Sequence, residues 1–130
     1  MCKHTQIRIP IVFNAWIRAR DRDKGCFVCG VQFPVGQIGG DFDAGHVRSR
    51  GSADHLRYNE DNVHGECKSC NSSWGAKPHE IKAGAIRRIG QDRYDALEAN
   101  NTPTKWRREW LIDSIAIYKE RLKNLKKDKK

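Results

Sequence analysis

Apolar residues fall into a few short periodic stretches, separated by polar segments that contain glycine. From Ile11 to about Asp23, Ile11, Val12, Ala15, Trp16 and Ala19 recur at helical spacing. The charges Arg18, Arg20, Asp21, Arg22 and Asp23 gather at the end of this run, and Gly25 follows as a stop. The pattern predicts a helix over 11–24, after an extended lead ending at Pro10. Residues 25–30 read as a tight knuckle. Residues 31–46 carry Gly36, Gly39 and Gly40 and then a strand that delivers His46 at its end. The polar stretch 47–58 reads as a loop, and Asn62-Val63-His64 opens a second short strand leading to Cys67. The second cysteine pair should open a helix that includes Asn71.

The last third is helical in pattern. Short helices are expected over Ile81–Ile89 and Tyr94–Leu97, parted near Gly90. Thr102-Pro103 offers an N-cap followed by a first-turn proline. The helix it starts should run to about Lys126. Within it, Leu111, Ile115, Tyr118, Leu122 and Leu125 form a heptad seam over only two heptads. That seam either packs on the protein's own core or forms a homodimer through the C-terminal helix. The expectation is one α+β domain over 1–130: an N-terminal helix (11–24), a small central core (25–78) and a helical C-terminal region (79–130). At 130 residues, such a chain suits a single modest core.

Charge sharpens the picture. Lys and Arg number 25 against 16 Asp and Glu, a formal net charge of +9. Such a balance favours a polyanion, nucleic acid first and an anionic membrane surface second. No apolar run reaches the length of a membrane-spanning helix, and the N-terminus has no secretory apolar segment. Residues 119–130 form a basic tail suited to phosphate contacts that read no sequence.

Four of the five cysteines form two C-x-x-C pairs, Cys26/Cys29 and Cys67/Cys70. One tight turn can present two sulfurs to one ion, so two such pairs point to structural Zn²⁺ over a redox dithiol. Cys2 is left as a free thiol. Four thiolates leave no open coordination position, so catalysis would need another centre.

The segment 41–77 holds that centre. His46, Asn62 and Asn71 follow one another, with Asn62 five residues before Cys67 and Asn71 directly after Cys70. This arrangement resembles the HNH nuclease motif of the ββα-metal class, in an H-N-N form on a zinc-bearing treble-clef frame. Phosphodiester hydrolysis needs a base near neutral pH, and imidazole supplies one. His46 is the candidate, with Asn62 holding the backbone opposite it. Asn71 would offer a carbonyl oxygen to a hard divalent ion, Mg²⁺ or Mn²⁺. Many HNH enzymes place Asp or His just before the catalytic histidine, where this chain has Gly45. Asp43 shares a strand face with that position and is the first substitute ligand; Asp41 and His64 are rivals. Arg48, Arg50 and Arg57 flank the centre as expected DNA contacts, Arg48 and Arg50 foremost. Trp74 reads as core cover more readily than as a platform for bases.

Longer strings carry a closer resemblance. Trp16-Ile-Arg-Ala-Arg-Asp-Arg-Asp23, Asp43-Ala-Gly-His-Val-Arg-Ser-Arg50, His55-Leu-Arg-Tyr-Asn-Glu-Asp-Asn-Val-His64 and Ile86-Arg-Arg-Ile-Gly-Gln91 are similar to the phage NinG (Rap) recombination protein family. So are Lys105-Trp106 and the basic terminal helix, and the likeness runs from about residue 11 to 126. It implies a phage-encoded endonuclease, cytoplasmic in the bacterial host, acting on branched DNA such as D-loops and Holliday junctions. His46, Asn62 and Asn71 are then the positions matched for catalysis, and the four cysteines those matched for zinc. The stretch 71–78 departs from the family's usual polar segment, and the family's longer basic N-terminal extension is short here. A non-catalytic zinc module that binds DNA is the alternative reading, favoured by Gly45. A protein-interaction adaptor using the seam is a third, and it leaves the zinc frame unexplained.

Overall fold

The computed structural model describes residues 3–33 and 41–128. In order, these residues form helix α1 (Lys3–Asp21), strand β1 (Phe42–His46), a short 3₁₀ turn (Asp54–Leu56), strand β2 (Val63–Cys67), and helices α2 (Pro78–Ile89), α3 (Gln91–Ala99) and α4 (Arg108–Asp128). The class is α+β. The two strands pair antiparallel, with Phe42 opposite Cys67 and His46 opposite Val63. Among the described residues, no helix is long and apolar enough to cross a membrane. The expectations for Cys2 and for the glycines between 36 and 40 lie outside the described residues.

Helix α1 begins well before the expected boundary and carries Pro10 in its interior. Proline there removes one backbone hydrogen bond, but burial of Ile9, Phe13, Trp16 and Ile17 on one stripe outweighs that loss. The stripe read from sequence is rotated, because Ile11 is 63% exposed. Leu111 and Tyr118 are buried in the same core, and Ile115, Leu122 and Leu125 pack against it. The C-terminal seam is therefore used inside the molecule. Phe13 meets the rings of Tyr58 and Tyr118 edge to face, with centroids 5.6 and 5.0 Å away.

Helix α4 starts later than Thr102-Pro103 suggests. Residues 101–107 are held in irregular form by outside partners. Arg48 donates to the Asn100 carbonyl (2.9 Å) and the Asn101 side chain (2.9 Å), and Trp106 Nε1 donates to Asp54 (3.1 Å). The expected helix carrying Asn71 is also absent. After Cys67 the chain makes successive turns, with Asn71 N donating to Cys67 O (3.0 Å) and Ala76 N to Cys70 O (2.9 Å). Gly75 makes this possible, since a β-carbon there would lie 2.2 Å from Ser69 O. The next helix starts only at Pro78, where Glu80 accepts from Lys77 N at 2.8 Å.

A second core joins Phe27, Val28, Phe33 and Phe42 to Ala85, Ile89 and Tyr94, so α2 and α3 cover the cysteine knuckle. Asp21 fixes the end of α1 to this body. Its fully buried carboxylate accepts from Arg20 (2.6 and 2.9 Å) and from Gly65 N (2.8 Å), and it faces Arg88 at 3.4 Å. Burial pushes this carboxyl up, but the Arg20 and Gly65 hydrogen bonds and the Arg88 charge hold it below the usual range.

Candidate metal centre and neighbouring cleft

Both cysteine pairs converge. The Sγ atoms of Cys26, Cys29, Cys67 and Cys70 all lie within 4.8 Å of one another, with Cys29 and Cys67 at 3.7 Å. A tetrahedral ion with bonds of about 2.3 Å needs sulfur separations of roughly 3.8 Å. Four such donors could hold a metal ion such as zinc. Their electrostatics call for a cation. Burial opposes ionisation of Cys26, yet backbone N–H groups at Cys29, Cys67 and Val28 bring it down to about 7. Burial and the neighbouring Cys26 charge then act to push Cys67 and Cys70 up.

The second centre lies where β1 ends. His46 lines an open cleft of about 390 Å³ with Asn14, Ala44, Ser49, Arg50 and Asn71. Its Nε2 sits 3.1 Å from the Arg57 carbonyl. A carbonyl can only accept, so Nε2 carries the hydrogen and Nδ1 holds the free lone pair. Burial lowers the His46 pKa; the Arg57 hydrogen bond opposes this, and the Arg50 and Arg57 charges add to it. The net direction is downward, which favours the neutral ring.

Asn62 is fully buried behind this histidine. Its Oδ1 accepts from Arg48 N (2.8 Å), while Nδ2 donates to Arg48 O (3.0 Å) and Leu56 O (3.2 Å). One amide thereby ties both ends of the loop that supplies the Arg57 carbonyl.

Asn71 connects the cleft to Asp43. Its Nδ2 donates to Asp43 Oδ2 at 3.0 Å, and Lys68 Nζ donates to Oδ1 at 2.8 Å. Burial pushes the Asp43 carboxyl up, but these two bonds and the Lys68 and Arg18 charges hold it below its ordinary value. Asp43 does not itself line the cleft with His46, because residues three apart in a strand face opposite ways. Asp43 shares its face with Gly45 and with Glu66, its partner on β2. A β-carbon on Gly45 would stand 2.0 Å from Glu66 Oε1. The buried Glu66 carboxyl thus occupies the space a residue-45 side chain would need. Burial, then the Cys26 and Asp43 charges, raise its pKa to about 7.

The rival ligands lie elsewhere. Asp41 Oδ2 faces Arg22 at 3.6 Å. His64 is buried against Phe27, 2.7 Å from Asp61 O and 3.3 Å from Arg20. Of the three arginines, Arg50 is exposed at the cleft. Arg48 directs its guanidinium to Leu97, Asn100 and Asn101, so it staples the end of α3. Arg57 pairs with Asp54 at 3.1 Å and covers Tyr58. Trp74 is no core cover: it is 97% exposed.

Two residues at the cleft or beside Asp43, Asn14 and Glu66, are not marked by the sequence pattern that singles out the others. Asn14 is a lone polar residue within Val12-Phe-Asn-Ala-Trp16, and that interruption is the signal that could have found it. Glu66 stands between a glycine and a cysteine of the second pair, with nothing in its own neighbourhood to mark it.

The family model described as "Bacteriophage Lambda NinG protein" matches residues 3–128. "Protein ninG" of Escherichia phage lambda is 36% identical over 113 residues, covering 87% of this chain and 53% of the relative. "Protein ninG" of Escherichia phage 933W is 35% identical over 87% of the chain and 54% of the relative. That of Salmonella phage P22 is 34% identical over 87% and 53%. The chain thus spans about half the length of the curated relatives it matches. No solved structure matches it.

Proposed function

Since the chain belongs to the bacteriophage NinG family, we propose that it is a metal-dependent DNA endonuclease of HNH type, selective for branched recombination intermediates. The observation that carries the hydrolytic reading is His46: neutral, with Nε2–H tied to the Arg57 carbonyl, in a cleft shared with Arg50 and Asn71. The preference for branched DNA rests on the family resemblance, and the net charge of +9 suits a phosphate-rich substrate.

Each step is assigned to a residue. His46 Nδ1 accepts a proton from the attacking water. The new bond forms at phosphorus as the bond to the 3′ oxygen breaks, leaving a 5′ phosphate and a 3′ hydroxyl protonated from solvent. Arg50 neutralises the phosphate at the cleft. Asn62 acts through the loop, fixing the carbonyl that selects the His46 tautomer. The Asp43 carboxylate and the Asn71 amide oxygen suit a hard divalent ion such as Mg²⁺ or Mn²⁺, with Glu66 as a nearby third oxygen donor. Such an ion, when bound, stabilises charge on the phosphate and the leaving oxygen. Zn²⁺ held by the four cysteines is structural.

A non-catalytic DNA-binding module is the second reading. Gly45 offers no ligand, and Lys68 already pairs with Asp43. The test is incubation with Mg²⁺ or Mn²⁺ of matched duplex, single strand, flap, D-loop and four-way junction. Cutting of the branched forms, with duplex spared, is expected. Binding without cutting in either metal would replace the nuclease reading with the second one.

A further inference from the structure

Trp74 stands apart from every other large side chain described. It is 97% exposed, and none of the ring–ring contacts among the described residues involves it. The other three tryptophans all pack against aromatic partners. A tryptophan in water on a loose loop would carry no message, but this turn is clamped. Ser72 donates to Ser69 O through its hydroxyl (2.8 Å), Gly75 N to Ser72 O (3.0 Å) and Ala76 N to Cys70 O (2.9 Å). The close approach at Gly75 seats the turn on the backbone of Ser69 and Cys70. The ring is thus displayed on a support anchored by the cysteine cluster.

Its position supplies the occupant. Trp74 lies three positions after Asn71, which lines the His46 cleft. Consecutive Cα atoms are about 3.8 Å apart, so the two Cα atoms lie within roughly 11 Å. That span is about three nucleotide steps along a strand. Lys68 and Lys77, both exposed, bracket the turn, and Arg50 lies at the cleft. An exposed planar aromatic face, on a turn flanked in sequence by two lysines of which Lys68 pairs with Asp43, suits a nucleobase joined to phosphates. In a paired duplex the base faces are already stacked, so the ring can engage only a base that is unpaired or splayed.

We propose that Trp74 is a stacking platform for an unpaired DNA base a few nucleotides from the phosphate presented to the His46 cleft. The proposal deepens the nuclease reading and rests on it. It assigns to one side chain the discrimination between branched and matched DNA.

The test is equilibrium binding of the zinc-loaded full chain, with Ca²⁺ as the only added divalent ion. A forked DNA with one unpaired arm is compared with matched duplex of equal length. 2-Aminopurine is placed in the unpaired arm at successive steps from the branch. Trp74→Ala should weaken fork binding by roughly 5- to 100-fold, leave duplex binding within about twofold, and abolish 2-aminopurine quenching near the branch. Trp74→Phe should restore most of the affinity and the quenching. An equal loss on both DNAs, or fork affinity unchanged in Trp74→Ala, would overturn the Trp74 assignment while leaving the nuclease reading standing. Wild-type protein that binds neither DNA would overturn both.

Discussion

Hydrogen-bond partners select the tautomer of His46 at the cleft, and the same logic governs a residue remote from it. His64 is buried with Nε2 against Asp61 O and Nδ1 toward the Arg20 guanidinium. A carbonyl accepts and a guanidinium donates, so only the neutral ring satisfies both. Burial, reinforced by Arg20 and Arg88, lowers its pKa to about 4 despite the Asp61 bond and the Asp21 charge. Between that value and the ordinary histidine pKa, the unfolded chain binds a proton that the native chain refuses. Stability should therefore fall as pH drops through the window from about 6.5 to about 4, by up to the order of 3 kcal/mol. Denaturant titrations with zinc present, from pH 7 to pH 5, should show a shallower decline for His64→Gln than for wild type; equal slopes would contradict the assignment. Such residue roles were only partly legible. The convergence of the four cysteines and the place of His46 at a strand end are announced by spacing. The structural use of Arg48 does not, because its partners Leu97, Asn100 and Asn101 lie about fifty positions away.

Elements were legible where local pattern and tertiary packing agree. Both strands and the α2–Gly90–α3 break follow from alternation and punctuation, and Gly90 takes φ 88° at the junction. Boundaries were misread where a distant partner decides. Pro10 reads as a stop, yet the apolar stripe through Ile9, Phe13 and Ile17 carries α1 past it. Thr102-Pro103 reads as a start, yet Arg48 and Trp106 hold that segment irregular. The turn after Cys70 was read as helix because Gly75's contact with Ser69 and Cys70 is invisible locally. Packing of α1 on α4 supplies a testable contrast. Leu111→Ala should cost about 2–5 kcal/mol by opening a cavity in that core. Ile112→Ala, one position on and 45% exposed, should stay within about 0.5 kcal/mol. Equal effects in denaturant melts would mean that α4 does not dock by the face described.

The whole molecule is a small frame in which one cysteine cluster joins two halves of the chain and positions the turn beside the cleft. Cys26 and Cys29 follow α1, while Cys67 and Cys70 lie between β2 and the Asn71 turn. Because these four thiols, so far apart in sequence, meet only in the native state, an ion held by them would couple its binding to folding. A strong chelator should remove the metal with loss of the far-ultraviolet dichroism, and added Zn²⁺ should restore it. Unchanged dichroism after verified metal removal would contradict this account. On the proposed function, this frame presents His46 as the base of a phosphodiesterase. Cleavage and binding of a four-way junction by wild type and His46→Ala, in Mg²⁺ and Mn²⁺, test it most directly. The account predicts a loss of about a hundredfold or more in cutting, with junction affinity within about twofold of wild type. A His46→Ala protein that cuts as fast as wild type, or that loses binding together with cutting, would contradict it.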